Sequence, residues 1–172
     1  MGNIQGFIRL RSGIAARMTA MMRVACVLVA ATVAYSTPAV ADNHLVIKKS
    51  ANSVSDTVDR LSDVLKARGI SVVARIDHAA AAVKSGLSLR PTTLLIFGNP
   101  KLGTPLMQSN PKVGLDLPMK VLVWQDASGQ VWLTYAKPER LKADYGLQGQ
   151  DTTLRQMTDA LNNLTEEAVR AK

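Results

Sequence analysis

Cysteine is almost missing from this chain: 172 residues contain one, Cys26. It opens an apolar run, whereas a lipid-modified cysteine would follow such a run. No other thiol exists downstream. That excludes disulfides, thiol redox chemistry, cysteine nucleophiles and thiolate metal sites from everything after it. Histidine is nearly as scarce, with His44 and His78 alone. A copper or zinc site built on that pair would need further ligands that no nearby pattern offers. Acidic residues are absent before position 42, although Arg9, Arg11, Arg17 and Arg23 lie there. The formal charge of +8 is therefore uneven, and 17 basic residues face 13 acidic ones from Asp42 onward. Lys48 and Lys49 adjoin, but the other bases are interspersed with acids. This is a mixed, solvated surface, not the basic face with stacking aromatics of a nucleic-acid binder.

The skewed N-terminus has the layout of a secretory signal. Basic residues precede the run VACVLVAATVAY at residues 24–35, and TPAVAD follows, with Ala39 and Ala41 as the small residues of a cleavage site. Cleavage is expected after Ala41, giving a signal at 1–41 and one domain at 42–172 in the periplasm or outside the cell. Twelve apolar residues fall short of the roughly 20 that span a bilayer. An uncleaved anchor would have to recruit residues 18–22, and Arg23 interrupts that extension. After cleavage no stable membrane anchor is expected. The remaining length suffices for one core without disulfides.

Periodicity supplies the elements. A β-branched run at 44–50 predicts a first strand. Val54, Val58, Leu61 and Leu65 form one helical stripe, with Ser53 and Asp56 as a capping pair and Gly69 as the stop. Residues 70–77 alternate as a strand whose Ile70, Val72, Ala74 and Ile76 face is expected to be buried. A short helix follows at 78–86. TTLLIF at 92–97 predicts an interior strand, and a short helix is expected after Thr104 as its cap, with Pro105 in its first position. MKVLVWQ and QVWLTYA form a hairpin around DASG, and Trp124 and Trp132 lie across it. Leu154, Met157, Leu161, Leu164 and Ala168 mark a last helix. Setting the short helices aside, the order is strand, helix, four strands, helix. The expected fold is α+β, with one mostly antiparallel sheet and its helices on one face.

The segments IDHAAAA, PTTLLIFGNPKLGTPLM, LDLPMKVLVW and GQVWLTY in combination resemble the domain of unknown function 302 family. The resemblance runs from His44 into the last helix. It implies a fold like half of the TATA-binding protein, used without nucleic acid, and pairing into homodimers. It implies no activity.

Two places are candidates for chemistry. FGNPKLGTPLM at 97–107 turns sharply after a buried strand and opens a helix. Gly98 could take positive φ there, and the first N–H groups of the helix, with Lys101 nearby, could hold a carboxylate, phosphate or sulfate. The alternative is that Thr104 satisfies those donors and the loop is only a corner. His78 follows Asp77 where a strand becomes a helix, and could pack, bind a ligand or carry a proton. The motifs of serine hydrolases, nucleotide-binding loops and zinc proteases are absent. Met107, Met119 and Met157 are too scattered in sequence for a thioether copper motif and suit core packing. The pattern points to a non-catalytic binding or accessory domain without cofactor. Its expected pocket is bounded by His78, Asn99, Lys101, Gly103 and Thr104, for a small polar or anionic ligand. The competing expectation is a cofactor-free enzyme with His78 as general acid or base. A third makes the loop and tryptophans a subunit interface.

Overall fold

The computed structural model describes residues 44–171; the expected signal, its cleavage after Ala41 and Cys26 lie outside the described residues. Strand β1 (Leu45–Ser50) leads to helix α1 (Val54–Ala67), edge strand β2 (Ser71–Asp77), short α2 (His78–Lys84) and β3 (Thr92–Gly98). Helix α3 (Pro100–Ser109) and a 3-10 turn (Pro111–Leu115) precede the hairpin of β4 (Met119–Gln125) and β5 (Val131–Ala136). Short α4 (Arg140–Tyr145) and long α5 (Asp151–Val169) follow. The strands form one antiparallel sheet in the order β1-β5-β4-β3-β2. The fold is α+β, as the periodicity predicts.

Alternation decides which face is covered. Thr93, Leu95 and Phe97 of β3, Val121 and Val123 of β4, and Leu133 and Tyr135 of β5 are buried. All of these but Thr93 share one cluster with Val58, Leu61 and Leu65 of α1 and Leu161, Leu164 and Ala168 of α5. Both long helices therefore cover the same face. Buried polar groups there are paired: Thr57 Oγ1 donates to the Ser53 carbonyl (2.7 Å) and lies 2.7 Å from Ser50 Oγ. Thr165 Oγ1 donates to the Leu161 carbonyl (2.7 Å). Lys48, on the same face, reaches the edge of α5 and donates to Asn162 Oδ1 (2.8 Å) and Glu166 (3.1 Å). A second apolar cluster gathers Leu106, Val113, Leu141, Leu147, Leu154 and Met157 below α3.

Two local expectations need correction, and one element was not foreseen. Helix α3 starts at Pro100, with Asn99 and not Thr104 as its cap. Thr104 and Pro105 lie inside it, because the Asn99 side chain captures the first turn before Thr104 is reached. The apolar residues of β2 are not buried: Val72 is 41% and Ile76 39% exposed. Ala74 and Ile76 pair with Ile96 and Leu94, on the face away from the two long helices. Helix α4, within KPERLKADYGLQG, has no apolar stripe long enough to announce it.

Candidate functional site

The end of β3, the start of α3, the segment 117–119 and one side of α5 enclose a cleft of about 340 Å³. It lies at the seam between the two apolar clusters. Gly98 lets the chain close there. A Cβ on it would stand 3.1 Å from Pro118 Cβ, a tight contact that the 117–119 segment could relieve only by shifting slightly. Gly98 is not among the positive-φ glycines. Close approach, and not the positive φ open to it from sequence, is what the position requires.

Helix α3 forms the rim. Asn99 Oδ1 accepts from the Lys101 N–H (3.0 Å), and the Asn99 carbonyl accepts from the Leu102 and Gly103 N–H groups, each at 3.0 Å. Pro100 has no N–H to offer. The donors that a loop anion would use are thus engaged within the helix start itself. The walls are apolar: Phe97, Leu117, Met119, Leu161 and Leu164 are among them. Polar lining comes only from Ser71, Asn99 and Thr104, and no charged side chain contributes.

The expected site residues separate. Asn99, Gly103 and Thr104 line the cleft; Lys101 is exposed on α3 and does not. His78 lies at the other end of β2. Ser71 pairs with Gly98 and Asp77 with Thr93, so the length of the strand, about 20 Å, stands between His78 and the loop. There His78 is the first residue of α2, half-buried, while Asp77 caps that helix by accepting from the Ala80 N–H (2.9 Å). Sequence reading missed the α5 contribution of Met157, Ala160, Leu161 and Leu164. Its helical stripe was legible, but the stripe alone does not say that part of it borders a space. The three methionines read as scattered, Met107, Met119 and Met157, all line this cleft.

A polar cluster adjoins the second apolar group. Asp116 accepts from the Tyr145 hydroxyl (2.7 Å) and pairs with Arg140 (2.7 Å), which also holds Asp144 (2.7 Å). Burial opposes ionisation of Asp116, yet the Tyr145 and Arg140 hydrogen bonds hold its carboxyl below the ordinary value. Lys120 donates to the Asp116 carbonyl (3.1 Å) and not to its carboxylate. These partners tie α4 to the entrance of β4, a structural task. Trp124 and Trp132 do face one side, with ring centroids 6.5 Å apart and planes at 28°. Their N–H groups donate to Thr134 Oγ1 (3.0 Å) and Asp126 Oδ2 (2.8 Å). Among the described residues, no group of three His, Cys, Asp or Glu could hold a metal ion, and no helix is long and apolar enough to cross a membrane.

Comparison with known proteins places this geometry. A protein of Brucella suis biovar 1 (strain 1330) named fluoride-specific ion channel FluC 1 is 41% identical over 128 residues, covering 74% of this chain and 50% of that protein. A protein of the same name from Brucella abortus biovar 1 (strain 9-941) is 41% identical over 128 residues, covering 47% of its length. The chain thus spans about half the length of the curated relatives it matches. The crystal structure of an uncharacterized conserved DUF302 protein from Bacillus stearothermophilus superposes with a TM-score of 0.67 at 21% identity, over 74% of this chain and 99% of that one. The likeness supports the fold alone. The family model of the domain of unknown function DUF302 matches residues 46–164, and the chain belongs to that family.

Proposed function

We propose that this chain is an exported, non-catalytic binding or accessory domain, working as a homodimer, with a small-ligand site in the cleft between α3 and α5. The observation that carries the reading is the cleft. About 340 Å³ lies within the range of small-molecule sites, and an apolar wall with a few polar groups at the rim is their usual make-up. Because no charged side chain lines it, the ligand's bulk is apolar, and a bare inorganic anion would find no counter-charge. The arrangement favours binding over turnover: His78, the acid-base candidate, sits a strand's length away.

The homodimer is supported by the other face of the sheet. Ile47, Leu122, Leu94 and Ile76 form a row with Thr134 across all five strands, and Ile47 is 56% exposed. Trp132 and Trp124 continue the next row. Neither long helix covers this apolar surface. A second sheet packed about 10 Å away would. An accessory role also fits the relatives, in which the matching stretch is about half of proteins named as ion channels.

The test is a native mass spectrum of the full chain purified from the compartment to which its host sends it. The expected species is a dimer lacking the first 41 residues and carrying a small organic adduct, which the variant Ala160→Phe loses. An adduct retained by that variant would place the ligand elsewhere. An uncleaved monomer would overturn export and pairing.

A further inference from the structure

We infer that the ligand is a neutral amphiphile with a flexible hydrocarbon body, of the class of medium-chain alcohols, esters and amides; this rests on reading the cleft as a ligand site. Size sets the first limit. About 340 Å³ stands at the small end of the roughly 300–1,000 Å³ of ligand sites. That suits a medium-length chain with one head group.

The walls choose flexibility over a rigid ring. Met107 from α3, Met119 from β4 and Met157 from α5 all line the cleft, and they are the only methionines among the described residues. Unbranched thioether side chains change rotamer at little cost and mould to an irregular or mobile apolar body. The rest of the lining is mostly leucine, phenylalanine, proline and alanine, and its side-chain donors and acceptors are confined to the exposed Ser71, Asn99 and Thr104.

The rim decides the head group. Ser71 Oγ and Thr104 Oγ1 make no hydrogen bond among the described residues. Asn99 spends Oδ1 on the Lys101 N–H and keeps its Nδ2 donor. Together they offer donors and acceptors but no charge, which matches a hydroxyl, ester or amide. A carboxylate drawn into this rim would lose hydration without gaining a lining cation. Lys101 is the nearest cation in sequence, exposed on the same helix, and makes decanoate the informative competitor.

The experiment labels the methionine methyl groups of the full chain with ¹³C and titrates it at pH 7 with 1-decanol and, separately, with sodium decanoate. Saturable shifts of the Met107, Met119 and Met157 signals are expected with 1-decanol, and at least tenfold weaker binding with decanoate. Ala160→Phe, which fills the cleft from α5, abolishes the shifts; Thr104→Trp at the exposed rim does so if the first variant fails to fold. Decanoate binding as tightly as 1-decanol overturns the neutral head group. Shifts that persist in a folded cleft-filling variant overturn the location. If neither probe binds, the amphiphile class fails. A copurified adduct lost on Ala160→Phe would then still leave the cleft as the ligand site.

Discussion

At the scale of single residues, the hairpin between β4 and β5 shows how one carboxylate organises a turn. Asp126 Oδ1 accepts from the Ser128 N–H (2.8 Å), the Ser128 hydroxyl (2.6 Å) and the Gln130 N–H (3.0 Å), while Oδ2 accepts from Trp132. The Ser128 hydroxyl first and the Trp132 N–H second lower its carboxyl from the ordinary 3.8 to about 2. A depressed folded value means these bonds stabilise the fold fully above about pH 4 and stop doing so as pH falls through about 2. Tryptophan fluorescence should accordingly report an acid transition of the hairpin within that window. Asp126→Asn should remove this component; an unchanged transition would assign it to another group. Gly98 carries a different lesson. Its lack of a side chain was visible, but the reason for it, the 3.1 Å approach to Pro118, was not. Twenty residues separate the two, and only the closed fold makes them neighbours.

At the scale of elements, stripes and caps were legible where the signal is local. The α1 stripe, its Ser53 cap (Oγ accepting from the Asp56 N–H, 3.1 Å) and the DASG hairpin depend on residues a few positions apart. Helix α3 misled because it contains two prolines, and either could open a helix. Asn99 decides the matter by capping at Pro100. Asn99→Ala should cost about 1 kcal/mol of stability, the usual worth of such a cap, measured by urea unfolding. Because the same residue lines the cleft, it should also weaken ligand retention. A loss of stability near zero would mean that the start of α3 is held by packing instead. Strand β2 failed for a further reason. Its alternation is broken by a bulge between Val72 and Ala74, so Val72 stands opposite Phe97 on the helix face while Ala74 and Ile76 stand on the other. As an edge strand on a sheet with its long helices on one side, β2 turns Ala74 and Ile76 outward.

At the scale of the whole molecule, a five-stranded sheet with both long helices on one face leaves Ile47, Leu94, Leu122 and Ile76 on the other. Leu122 stands at its centre, on the middle strand of the β1-β5-β4-β3-β2 order. If the proposed homodimer forms through this face, Leu122→Lys should convert it to a monomer in sedimentation equilibrium while circular dichroism keeps the α+β signature. The position is half-buried and its side chain points away from the helices, so the covered core should be undisturbed. A wild-type monomer, or a dimer indifferent to this lysine, would direct the open face to a different protein. The Asp116, Arg140 and Tyr145 cluster belongs to this scale too, since it joins α4 to β4 through residues 24 or more positions apart.

What the sequence determined by itself were the consequences of composition and short-range pattern. These are a thiol-free domain, an α+β order of elements, two long helices with single apolar stripes and a family-like loop after β3. Each follows from covalent proximity, because side chains three, four or two positions apart share a face whatever surrounds them. Only the tertiary structure decided that His78 and Asn99 sit at opposite ends of β2, that three distant methionines meet at one cleft, and that β2 turns apolar residues outward. Those facts depend on sheet order and on how two apolar clusters meet. The physical reason is that burial is shared between segments far apart in the chain, and no window of neighbouring residues contains both sides of the contact.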